Sequence, residues 1–169
     1  MTTSAGESVA TLDARVAEAH RRASFIVMAI ITSILVYVVI ALYIVSRPSS
    51  RGFSTQTRIS FYAAAAFLAF GSIFYRRSQM RRMRLEVVTG LRGIKGLLKH
   101  FFQVTIVCVA MADLIGLLTL VVSFVGGDKS DVVRFGIVAV AVALFAYPRR
   151  RSWQQAAEYF AETMPGIEE

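Results

Sequence analysis

The sequence predicts an all-α fold: a bundle of four transmembrane helices, up-down-up-down, with the N and C termini cytoplasmic and amphipathic cytoplasmic surface helices. Three observations predict it. Hydrophobic residues make up 56% of the chain and the mean hydropathy is +0.57, above the roughly 45–50% apolar content of soluble domains. Apolar runs that read as membrane spans recur four times, two of them long enough to cross about 30 Å of hydrocarbon with length to spare. Basic residues then gather on alternate connections between those runs.

Residues 1–22 form a polar cytoplasmic tail, with Leu12, Val16 and Ala19 at helical spacing leading toward the membrane. Glu7, Asp13 and Glu18 within it, and the long apolar run after it, argue against a cleaved leader, so the first span is expected to stay attached. That span covers residues 23–45 without a charge. Its Ile and Val content is tolerated because backbone in lipid can satisfy its hydrogen bonds only internally. Pro48, Ser49, Ser50 and Gly52 break it.

The second span covers residues 59–75. Ala65 and Ala69 make a small-xxx-small pair that lets a neighbouring backbone come close, and Tyr62 and Tyr75 mark the two interfaces. Residues 76–100 are the basic cytoplasmic connector, with Arg76, Arg77, Arg81, Arg82, Arg84, Arg92, Lys95 and Lys99 against the single acid Glu86. Within it Val88, Leu91, Ile94, Leu98 and Phe101 recur at steps of three and four. That pattern fits a surface helix or one running straight into the third span, while Gly90, Gly93 and Gly96 weaken helix or mark a bend.

The third span covers residues 101–125, and Gly126 to Ser130 make a tight outer loop. The fourth covers residues 132–147, short at 16 residues, and Arg134 just inside its outer end can snorkel outward and does not exclude it. Pro148 and then Arg149, Arg150 and Arg151 stop it. The tail, residues 148–169, places Trp153, Ala156, Phe160 and Met164 on one helical face. Lys and Arg number 14 on the two tails and long connector against 4 on the other two loops, which directs the former to the cytoplasm.

Charge and ligand counts exclude several classes. A net charge of +8 is explained by basic flanks facing anionic lipid, so nucleic acid is not an expected partner. Cys108, the only cysteine, permits no internal disulfide, and with two His it cannot fill a four-ligand zinc site without carboxylates. No nucleophile motif or phosphate-cradling loop occurs; Gly90, Gly93 and Gly96 follow no strand. The chain is expected to be no enzyme.

Asp113 is the residue out of place, 12 positions from either end of the third span. An aspartate at the bilayer centre costs about 2.5–3.5 kcal/mol on insertion scales. Such a group either carries protons or cations or hydrogen-bonds across helices as packing glue. Thr32, Ser33 and Tyr37 lie at similar depth as partners. The stretch Ala110-Met111-Ala112-Asp113-Leu114-Ile115-Gly116-Leu117 resembles the second helix of ATP synthase subunit c, the rotor-ring proteolipid, where a carboxylate follows small residues and precedes Gly-Leu at this spacing. The resemblance implies that Asp113 is an ion-carrying carboxylate and Gly116 the close-packed position beside it. It is confined to these eight residues and names no family for the whole chain.

His20 and His100 each precede a span leaving the cytoplasmic face, so they are candidate haem ligands or plain interfacial residues. The connector cations with Arg149, Arg150 and Arg151 form a basic face for anionic inner-leaflet lipid or a partner, or simply set topology. The expected function is a non-catalytic, multi-pass membrane subunit or scaffold, a homo-oligomer or part of a membrane complex, in the plasma or bacterial inner membrane. The alternatives are a proton- or cation-translocating element using Asp113, Tyr37, Ser33 and Gly116, and, more weakly, a haem-binding subunit. No cofactor is otherwise expected.

Overall fold

The computed structural model describes the backbone of residues 3–47 and 54–163, and the side chains of residues 13–47, 54–81, 93, 95–156, 158 and 159. Every element among them is a helix: α1 Thr3–Val45, α2 Thr55–Gln79, α3 Arg82–Val125, α4 Lys129–Ala146 and α5 Arg150–Thr163. Four stretches, Asp13–Val45, Thr55–Gln79, Lys95–Val125 and Lys129–Ala156, contain helix long and apolar enough to cross a membrane.

Local chemistry sets the boundaries. Ser54, extended at φ −68° and ψ 143°, caps α2 by accepting from the Thr57 N–H at 3.2 Å. Gly126 ends α3 in the left-handed conformation at φ 109°, its N–H donating to Val122 O, and Gly127 N–H reaches the same carbonyl at 2.9 Å. Asp131 in the first turn of α4 accepts from the Asp128 N–H at 3.4 Å. Of the three connector glycines only Gly93 breaks the helix: at φ 64° and ψ −169° it occupies a region essentially closed to other residues. The chain is helical on both sides of it within α3, and Met80 and Arg81 form a short turn before that helix.

α3 is the hub. It packs on α1, α2, α4 and α5, whereas the backbones of α1 and α2 do not come within 8 Å of each other, Cα to Cα, among the described residues. Two glycines allow the closest approaches to α1. A Cβ on Gly116 would stand 3.0 Å from Ile34 Cγ1 and 3.3 Å from Tyr37 Cδ2, and one on Gly136 would stand 2.6 Å from Val38 Cγ2. The middle of the bundle is Ile34, Ala65, Ala112, Ile115, Phe135, Ala139 and Ala143, with Ala69 packed against them, so the alanine pair on α2 faces inward.

Beyond the apolar belt α1 and α3 continue as helix, and their extensions meet α5. Val16, Ala23, Leu97, Leu98 and Phe101 close around Trp153 with Ala19 and Ala156 beside them. The tail expected as a surface helix therefore docks through its indole, because the helical extensions supply apolar partners there. Phe160 and Met164 lie outside the described side chains, as do Val88, Leu91 and Ile94. The outside of the bundle stays apolar: Phe25, Phe67, Phe70 and Phe74 are each more than 70% exposed. Water does not tolerate a continuous surface of that kind; hydrocarbon does.

Candidate functional site

Asp113 stands at the rim of the α1–α3 seam. Ala112, Ile115 and Gly116 around it are buried, whereas Ala110, Leu114 and Leu117 are exposed, so Asp113 occupies the border and is half-buried. Gly116, one turn on, presses against Ile34 and the Tyr37 ring, which puts the resemblance-implied close-packed position on the α1 interface. One carboxyl oxygen, Oδ1, is shut away from the surface without a hydrogen-bond partner. The expected pairing with α1 is not made: no hydrogen bond joins Asp113 to Ser33 or Tyr37, and the Thr32 hydroxyl donates to Met28 O at 3.0 Å instead. Leaving such an oxygen unsatisfied in a low-dielectric setting is unfavourable by several kcal/mol on the order of magnitude. The other oxygen, Oδ2, is neither shut away nor hydrogen-bonded to a described residue, so a donor from outside the chain can reach the carboxyl there.

A second carboxylate, which the sequence did not single out, is fully paired. Asp131 is 3% exposed and sits where α4 begins. Tyr62 OH donates to its Oδ1 at 2.8 Å, and the Arg58 guanidinium lies 3.2 Å from its Oδ2 and 2.7 Å from Asp128 Oδ2. Tyr62 stacks on Phe135 at 4.8 Å between centroids, and Arg134 donates to Tyr62 OH at 3.4 Å. The cluster clamps α2 to α4. A signal for half of it existed, since Asp128-x-x-Asp131 before an apolar run is a helix-start pattern.

The basic residues gather toward the α5 end. Arg76 lies over the Phe145 ring at 5.0 Å, near Arg149, and Arg77 lines the same cleft. Lys95 and Lys99 face Arg15 and Arg22 across another, while Arg81, Arg150 and Arg151 are exposed. Arg82, Arg84 and Arg92 lie outside the described side chains. The histidines are engaged separately: His20 Nε2 contacts Pro148 O at 3.0 Å and its ring meets Trp153 edge-on, whereas His100 Nε2 contacts Gln79 O at 3.4 Å. Cys108 is buried and donates to Ser72 O at 3.6 Å. Among the described residues no group of three or more His, Cys, Asp or Glu could hold a metal ion.

No protein-family model, curated protein or solved structure matches this chain.

Proposed function

We propose that the chain is a non-catalytic, multi-pass membrane subunit that associates through its spans, with a second copy of itself or a membrane partner completing the rim around Asp113. The observation that carries this reading is the half-buried Asp113 carboxyl, without a hydrogen bond to any described residue, beside the exposed Ala110, Leu114 and Leu117. A carboxyl at a lipid-facing rim is relieved when a neighbouring helix supplies a hydrogen bond. The spans run up-down-up-down with both termini cytoplasmic, which the excess of basic residues on the tails and connector supports.

Two experiments test it. Asp113→Leu should weaken association in bilayers about three- to thirtyfold; association equal to wild type would sink the assignment of Asp113. For orientation, cysteines introduced at Ser130 and Gln155, both exposed, are labelled in intact cells with an impermeant thiol reagent against the buried Cys108 background. Labelling at 130 and not at 155 is expected, and the reverse would invert the topology.

A second reading draws on the same unpaired carboxyl and on the eight-residue likeness to the rotor-ring helix: Asp113 carries protons or cations, with Tyr37, Ser33 and Gly116 beside its path. Proton flux into liposomes that is lost in Asp113→Asn would favour it over the scaffold. The haem reading requires His20 and His100 to leave Pro148 O and Gln79 O. A purified chain without a haem absorbance band would retire it.

A further inference from the structure

We infer that the cleft between the ends of α2 and α4 and the start of α5 binds the phosphodiester headgroup of an anionic phospholipid. The inference depends on the spans lying in a bilayer and is independent of Asp113. The cleft has a volume of about 290 Å³ and is lined by Arg76, Arg77, Met80, Phe145, Arg149 and Ser152. Three arginines and a serine line it with no carboxylate among the lining residues, and none of the three arginines forms an ion pair among the described residues. Arg76 and Arg149 come from different elements and are close enough to repel each other. At the opposite end of the bundle the arrangement is the reverse, since Arg58 meets two carboxylates.

Held like charges of this kind are compensated by an anion, and paired guanidinium forks match phosphate oxygens. The position selects a lipid. The apolar run of α2 ends at Tyr75 and that of α4 at Ala146 and Tyr147, so the cleft opens where hydrocarbon gives way to headgroups. Its floor is apolar: Phe145, held beneath the Arg76 guanidinium, and Met80 offer the glycerol and first methylenes a surface that free phosphate would not use. The other basic cleft, between α1 and α3, carries Glu18, already paired with Arg22 at 2.6 Å, and is partly neutralised.

The test titrates the full chain in neutral maltoside detergent with dioleoylphosphatidylglycerol, dioleoylphosphatidylcholine or inorganic phosphate. Fluorescence of Trp153, the only tryptophan and the neighbour of Ser152, reports binding, and the thermal midpoint reports folding. Saturable binding of the glycerol lipid is expected, at least tenfold tighter than the choline lipid or phosphate. The double variant Arg76→Gln/Arg149→Gln should lose about thirtyfold, the equivalent of about 1 kcal/mol per cation near an anionic surface. Arg150→Gln/Arg151→Gln, exposed and outside the cleft, should stay within about threefold of wild type, because charge remote from the bound headgroup is screened. Arg76→Lys/Arg149→Lys keeps the charge without the forks and should fall between, guarding against a folding artefact. Equal losses in the glutamine pairs would reduce the effect to diffuse surface charge, and equal binding of inorganic phosphate would remove the lipid; either overturns the proposal. A chain extracted from membranes by alkaline carbonate would instead refute the bilayer placement, a separate failure.

Discussion

Replacing Arg58 by methionine keeps the aliphatic stem and removes the guanidinium that joins α2 to α4. Two carboxylates lose their partner, in different surroundings. The Asp128 side chain is 68% exposed, so its 2.7 Å pair with Arg58 contributes about 0–1 kcal/mol. The Asp131 side chain is 4% exposed, and breaking a buried pair costs about 3–5 kcal/mol when the remaining charge is stranded. Arg58 itself is 42% exposed, and Tyr62 still donates to Asp131, so the expected loss for Arg58→Met is discounted to about 2–3 kcal/mol. Asp128→Asn alone should lose less than about 1 kcal/mol. The assay is reversible unfolding of the purified chain in mixed detergent micelles, with a double-mutant cycle of Arg58→Met and Asp131→Asn. A coupling of about 1.5 kcal/mol or more is expected for groups in direct contact. A coupling near zero, with Arg58→Met no worse than Asp128→Asn, would show that the clamp does not hold the two helices.

Other substitutions probe the packing. Gly136→Ala would drive its Cβ to 2.6 Å from Val38 Cγ2; overpacking by one methyl should lower stability by about 1–3 kcal/mol, less the helix preference of alanine. Adding Val38→Ala should restore most of that loss in the same unfolding assay, and an unchanged loss would place the strain elsewhere. Trp153→Ala removes the indole enclosed by Val16, Leu97, Leu98 and Phe101, at a cost of about 3–5 kcal/mol if α5 stays helical. Limited proteolysis should then cleave within residues 150–163 first, whereas resistance equal to wild type would mean that α5 is held by other contacts.

What the sequence made legible was period and depth. Four apolar runs became four helices long and apolar enough to cross a membrane, and Ala65, Ala69, Leu98, Phe101 and Trp153 fell on inward faces because spacing reports azimuth within one helix. Gly116 proved to be a close-approach position. What stayed hidden depends on rotation of one helix against another. Tyr37 and Ser33 match Asp113 in depth, yet depth does not decide whether side chains face each other, and Asp113 points to the rim instead. The Asp131 cluster was invisible for the same reason: Arg58 and Asp131 lie more than seventy positions apart in sequence and meet only once α2 packs on α4. The connector glycines looked equivalent in sequence, and only backbone geometry separates Gly93 from the other two.

The most direct test of the central claim is association of the purified, dye-labelled chain in dilute lipid bilayers, measured by energy transfer for wild type and Asp113→Leu. An interhelical hydrogen bond in lipid contributes about 0.6–2 kcal/mol, so the account predicts an oligomer in wild type whose dissociation constant rises about three- to thirtyfold in the variant. Wild type and Asp113→Leu that associate equally, or that are both monomeric while folded, would contradict it.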